Sequence, residues 1–443
     1  MSEHRLAYID QATFLSWQAT GRAQLAQYVW VYRNPVDMDG LRRFHRDFGY
    51  GLAGRLIEPS VLPFGRHRWV AATGPGAPLE VDEVRPPSEL GAWIDERSQR
   101  SIDAVHGPGW HLGVLPMSDG SSAVTLVVSH CLLDGGGSLR TVVDAVNGRR
   151  CEFGYELPGS RKRLAALVSD TRQVVRELPE FGRAVATAVR FAYRRRRKVS
   201  SSGAGRSTAV PAADGPVVVP AVSAVVAAAD WDARAESLGG TSYSLLAGFA
   251  AQLGCYLGRV DRADDAVTLL IATSDRGGED DRRGNAMKIA TATVDPASVT
   301  TDLAKTRTAV RAALAAVRGV ADETHALLPL TPFVPKRAVR LTTDVVLGEL
   351  PVSCSNLGEV PCDIARPDGS EAEYVLFRPV DQNVTRSALE RARGQLVLAA
   401  GRVVGTVSIG VVGYQLGAEN SREWLAEHVI QTLTDFDLKG TII

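Results

Sequence analysis

SHCLLDGGGS, from Ser129 to Ser138, follows the apolar run VTLVV (Val124 to Val128) without a break. An imidazole at the end of an expected strand, with a carboxylate four positions on in a glycine turn, is the strongest mark of an active site in the chain. Working outward, WHLGVLP (Trp110 to Pro116), the turn-rich MSDGSS and AVTLVVS (Ala123 to Ser129) form an expected β-hairpin whose second strand runs into His130. Beyond the glycine triplet, SLRTVVDAVNG places Leu139, Val142, Val143 and Val146 on one helical face and ends in Asn147 and Gly148, which suit a helix terminus. The motif therefore occupies a strand-to-helix connection.

A histidine has a reference pKa of about 6.5 and suits proton transfer near neutral pH. Asp134 either orients the imidazole directly or points away into a structural ion pair with an arginine from elsewhere in the fold. Arg276 in TSDRGG and Arg283 in DDRRGN are both candidates for that clamp, and each lies among acidic residues. Cys131 beside the histidine reads as a packed thiol, because neighbours on an extended segment point to opposite sides. His106 and His111 flank GPGW and with His130 could form a metal triad, but their i,i+5 spacing does not put the two on one helical face and the glycines and proline read as loop, so no metal site is expected. Neither a GxxxxGK loop nor a strand-linked GxGxxG occurs.

The rest of the chain alternates strand and helix signals. YVWVY (Tyr28 to Tyr32) reads as a strand, and Leu41, Phe44 and Phe48 recur at helical spacing after it. Arg163 to Arg190 reads as one long helix, or two interrupted at Pro179, running into the cationic Arg194 to Lys198. That charge run suits a solvated helix end; contact with a carrier protein, a cofactor phosphate or a membrane surface is the alternative. Ser200 to Gly215 is polar and glycine-rich, a candidate domain crossover. The second half adds a strand near Val217 to Ala228, helices at TSYSLLAGFAAQLGCYLG and Thr300 to Val317, late strands in GQLVLAAGRVVGTVSIGVVGYQL, and a helix over Arg422 to Phe436.

With 443 residues, 45% of them apolar, the chain exceeds the size of a single ordinary core, and two domains are expected. Zero formal net charge argues against a broad nucleic-acid footprint. No stretch of about 18 apolar residues could span a bilayer, and MSEHRLAYIDQATFLSW lacks a signal-peptide pattern, so a cytoplasmic location is the default. Five cysteines without a CxxC pair read as isolated thiols.

SHCLLDG resembles the HHxxxDG signature of the condensation-domain and chloramphenicol acetyltransferase-like acyltransferase superfamily, which includes wax ester synthases and polyketide-associated acyltransferases. TSYSLLAGFAAQLGCYL resembles the helix opening their second half, RGNAMKIATATVDP their asparagine-containing strand region, and VSCSNLG their SNxxG segment. The resemblance covers most of the chain. It implies an α/β fold of two chloramphenicol acetyltransferase-like domains, residues 1–199 with the motif and 216–443, forming a V-shaped pseudo-dimer with a tunnel between them. His130 would be the general base and Asp134 a structural support through a salt bridge. Gly135 would supply the turn and Gly136 a backbone N–H, while Ser353, Ser355 and Asn356 would offer donors to a thioester oxygen. Ser129 stands where the first motif histidine would be, and SNLGEVP departs from the SNVPGP form of wax ester synthases.

The implied activity is transfer of an acyl group from CoA or a carrier-protein phosphopantetheine thioester to an alcohol or amine, in lipid or specialised-metabolite biosynthesis, with ester formation favoured. No permanently bound cofactor is implied. An amide-forming condensation enzyme and a catalytically silent carrier-docking protein are the alternatives. Implied partners are the thioester, its acceptor and an acyl or peptidyl carrier protein, with peripheral membrane contact open.

Overall fold

The hairpin around the motif forms as expected: Trp110–Pro116 pairs antiparallel with Ser122–Ser129, from Trp110 opposite Val128 to Pro116 opposite Ser122. Every residue of Ser122–Ser129 is buried, which explains an apolar run in place of strict alternation. The computed structural model describes residues 4–198, 215–261, 264–278, 280–319, 325–334 and 350–443. The crossover expected at Ser200 to Gly215 lies, apart from Gly215, outside the described residues.

Two main sheets carry the mixed α/β fold. The first has the order Tyr374–Gln382, Ala23–Tyr32, Ser122–Ser129, Trp110–Pro116, Glu80–Val81. The second runs Met287–Val294, Ala266–Ser274, Val352–Glu359, Gln395–Val403, Thr406–Tyr414, Ala221–Ala227, Gly440–Ile442, with Val260–Asp261 paired to Ala266–Ser274. Sheet membership does not follow chain order. Tyr374–Gln382 lies late in sequence, yet it pairs antiparallel with Ala23–Tyr32 over nine positions, from Ala23 opposite Gln382 to Val31 opposite Tyr374.

That strand is also where the second sheet comes closest. A Cβ on Gly410 would lie 2.1 Å from the Phe377 carbonyl oxygen, and one on Gly401 would lie 2.6 Å from the Phe377 ring. Only glycine admits such an approach, because a real Cβ does not come within 3.0 Å of another heavy atom. Each sheet has its own apolar core. Tyr28, Trp30, Phe44, Phe48, Trp110 and Leu126 fill the first; Trp231, Leu245, Phe249, Ile271, Leu398 and Phe436 fill the second.

The helix opening the second half, Ser242–Tyr256, is closed by a reciprocal Thr241–Ser244 capping box, worth about 1 kcal/mol. The long segment after the motif is one helix, Arg163–Lys198, with Pro179 inside it. Pro179 is exposed, so water can satisfy the carbonyl that its missing N–H leaves free. The glycine triplet is a correction to the expected turn. The helix Gly135–Val146 begins at its first glycine, with Asp134 as N-cap. Close contact, not a left-handed backbone, is what the outer two glycines relieve: a Cβ on Gly135 would meet Leu357 Cδ2 at 2.9 Å, and one on Gly137 would meet Arg276 Nη2 at 3.0 Å, so either side chain would have to shift.

Candidate active site

His130 sits in the turn after Ser122–Ser129, held through its backbone from two directions. Its N–H donates to the Gln24 carbonyl at 2.9 Å, and its own carbonyl accepts from Asn285 Nδ2 at 3.1 Å. The ring is half-buried. Its Nδ1 is shielded from solvent and has no hydrogen-bond partner among the described residues.

Asp134 does not orient that ring. One carboxylate oxygen, Oδ1, accepts from the Gly137 N–H at 2.7 Å and from Arg276 Nη2 at 2.6 Å; Oδ2 accepts from the Ala286 N–H at 2.6 Å. The carboxylate caps its own helix, whose N-terminal dipole favours negative charge, and clamps it to the second sheet. Arg276 is the clamp. Its guanidinium also donates to the carbonyls of Asp281, Arg283 and Gly284. Arg283 turns instead to Asp281 at 2.6 Å and Asp275 at 3.1 Å, a local cluster nearer the surface.

Residues Arg282 to Ala286, leading into the Met287–Val294 strand, cross to the first half and are fixed at every position. Buried Asp10 accepts from the N–H groups of Gly284 (3.1 Å) and Asn285 (2.6 Å) and from Asn285 Nδ2 (3.0 Å). Burial pushes the Asp10 carboxyl above its ordinary value, against the lowering pull of Arg55 and these hydrogen bonds. Fully buried Arg55 donates to the carbonyls of Arg282 (2.6 Å) and Leu132 (3.0 Å) and lies 3.7 Å over the Trp69 ring. The Gly284 carbonyl in turn accepts from the Asp134 N–H at 2.9 Å.

Asp10 and Arg55 were not singled out by the sequence, and Asn285 entered only as the asparagine of the matched strand region. Asp10 did carry a signal, standing four residues before buried Phe14 and thus on the apolar side of the Tyr8–Thr20 helix. Arg55 carried none.

The SCSNLG segment forms the strand Val352–Glu359, and Ser355 lies between Ala272 and Ala399 of its neighbours. Asn356 Oδ1 accepts from the Gly358 N–H at 2.8 Å, where the pairing with Gln395–Val403 changes register. Its side chain therefore serves its own turn. The segment reaches the motif through Leu357, which packs on the first core against Gly135. Gly136 faces the same corner, where a Cβ would stand 3.8 Å from Asp134 Oδ1 and 4.0 Å from Ser274 Oγ.

Burial pushes the Cys131 thiol up to about 12, which removes it as a thiolate nucleophile. His111 is buried and pushed down to about 4 by burial and Arg97, while exposed His106 pairs with Asp103 at 2.9 Å. Two clefts open elsewhere. One lies along the motif helix between Arg140, Asp144, Tyr50 and Cys151; the other lies between Tyr8, Phe64, Phe181 and Phe333. Neither is lined by His130.

No family model matches the sequence, and no curated protein matches it. Solved structures do. The wax ester synthase/diacylglycerol acyltransferase from Marinobacter aquaeolei VT8 superposes with a TM-score of 0.55 at 14% identity, covering 98% of each chain. The first condensation domain of the CDA synthetase gives 0.56 at 13%, covering 99% of each. This chain has their fold. Polyketide synthase associated protein 5 from Mycobacterium tuberculosis shares it as well, at 0.53 and 14% identity over 98% of each chain. At such low identity the likeness carries the architecture alone. Among the described residues no helix is long and apolar enough to cross a membrane.

Proposed function

We propose that the chain is an acyltransferase of the condensation type, moving an acyl group from a CoA or carrier-protein thioester to an alcohol or amine, with ester formation favoured. The observation that supports this best is the division of labour in the motif. Asp134 is spent on Arg276, Gly137 and Ala286, which among the described residues leaves the His130 ring without a carboxylate partner and its Nδ1 unengaged. A base that must start neutral is well served by that arrangement. The two domains of this reading, residues 1–199 and 216–443, enclose a tunnel that brings donor and acceptor to His130 from opposite mouths, in a cytoplasmic enzyme.

In this mechanism the acceptor O–H or N–H loses its proton to the imidazole as the oxygen or nitrogen attacks the thioester carbonyl. The C–S bond then breaks, and the imidazolium returns the proton to the departing thiolate. Backbone and side-chain donors near Gly136, Ser355 and Asn356 are the candidates for holding the negative carbonyl oxygen.

The test supplies the purified chain with acyl-CoA and acyl-carrier donors and a panel of alcohols and amines, with products read by mass. Product that collapses in His130→Ala, with folding retained, supports the proposal. Turnover unaffected by His130→Ala, or carrier binding with no turnover against any acceptor, overturns it.

A further inference from the structure

Among the described residues the Arg163–Lys198 helix is docked on one side only. Its acids all face the protein: Asp170 meets Arg5 at 2.8 Å and Arg161 at 2.9 Å, Glu177 meets Arg66 at 2.6 Å, and Glu180 accepts from the Tyr8 hydroxyl at 2.9 Å. Ala166 and Ala184 are buried beneath it. The opposite face breaks the usual rule. Leu164, Val168, Val175, Leu178, Val185 and Val189 are between 40% and 79% exposed, and their steps of four, seven, three, seven and four residues keep them on one stripe. Small Thr171 and Gly182 fill the intervening positions. At a 1.5 Å rise per residue the stripe is about 38 Å long.

Beside the stripe, on one flank, stand Arg172, Arg176, Arg183 and Arg190, all exposed and none ion-paired among the described residues. The sequence of the same helix then continues into Arg194 to Lys198. An apolar band edged by cations, on a helix whose acids are all turned inward, is the charge complement of an anionic lipid surface. A second copy of the chain would bring another arginine row and no acids to meet it. Thr171 is the one polar side chain between Leu164 and Val189 on the stripe, too little to fix the register of a protein partner, whereas an acyl-chain boundary needs none.

We propose that this helix lies in the plane of an anionic bilayer, its valines and leucines at the acyl boundary and its arginines among the phosphates. The inference is independent of the acyl-transfer proposal, because it is read without turnover. The full chain is sedimented with phosphatidylcholine vesicles and with mixed phosphatidylcholine–phosphatidylglycerol vesicles, at low and high salt. Binding to the anionic vesicles alone, weakened by salt, is expected. Replacing Arg172, Arg176, Arg183 and Arg190 by Gln should weaken it about 100-fold, and Leu164→Gln with Leu178→Gln and Val189→Gln at least about tenfold, with unchanged circular dichroism. No binding to anionic vesicles, equal binding by both variants and the parent, or a dimer that the stripe substitutions dissociate overturns the proposal.

Discussion

The Arg282–Ala286 crossing and the outer face of the Arg163–Lys198 helix depart from ordinary burial in opposite directions. The first hides charge: Asp10, Asp134, Arg55 and Arg276 lie in the interior with their partners in place. The second leaves aliphatic side chains in solvent beside arginines that make no ion pair among the described residues. A buried ion pair is a weak source of stability but a strong specifier of geometry, since breaking it strands a charge. An exposed apolar band specifies nothing inside the molecule and points outward. The contrast separates residues that hold the candidate site from residues that meet something else.

The largest effect expected is at the crossing. Asp134→Ala should cost about 3 to 5 kcal/mol in urea unfolding, because Arg276 is left charged and buried; a loss below about 1 kcal/mol would mean that the clamp is solvated. His130→Ala should leave unfolding unchanged and lower acyl transfer by about 10²-fold or more, some 2.7 kcal/mol of barrier, read as initial rate.

Acid should act on the inner side of the long helix through a buried histidine. His67, which faces Asp170 and accepts from the Ser60 N–H, is held down to about 4 by burial, with Arg5 adding to the effect and Asp170 opposing it. The unfolded chain therefore binds the extra proton between about pH 6.5 and 4, so stability is full above that window and falls by on the order of 3 kcal/mol on descending through it. His67→Gln should reduce that slope in a pH series of thermal melts without abolishing it, since His111, also held down to about 4, titrates over the same window.

Arg283→Ala is the control for Arg276, and should cost less than about 1 kcal/mol because its pairs with Asp275 and Asp281 lie nearer the surface. Smallest of all, Leu164→Gln or Val189→Gln should change unfolding by no more than about 0.5 kcal/mol, since both side chains are mostly exposed. A larger loss would mean that the band is internal packing.

Much of the site was legible because it is local. The hairpin strand, His130 and the following helix are coded within forty residues, and Asp134 carried both of its possible roles in plain view. The choice between Arg276 and Arg283 was not legible, because acids flank both and only the fold decides which guanidinium faces inward. Asp10 and Asn285 lie 275 residues apart, and no local period reports such a pair. Asn356 was legible only through the family resemblance, as a donor to the thioester oxygen, yet its carboxamide oxygen serves Gly358, while Leu357 makes the contact with the motif. The late strand Tyr374–Gln382 shows no turn-bounded repeat that would assign it to the first sheet; its place follows from pairing alone.

That pairing has a consequence for biosynthesis. Gln27 and Arg378, which bond across the two strands, are 351 residues apart, so at about 5 to 20 residues per second the ribosome delivers the closing strand roughly 20 to 70 s after its neighbour. Throughout that interval the Ala23–Tyr32 strand has an open edge, the kind of surface that recruits chaperones or stray strands. A ribosome that stalls before the late strand emerges would release a chain with an unfinished sheet.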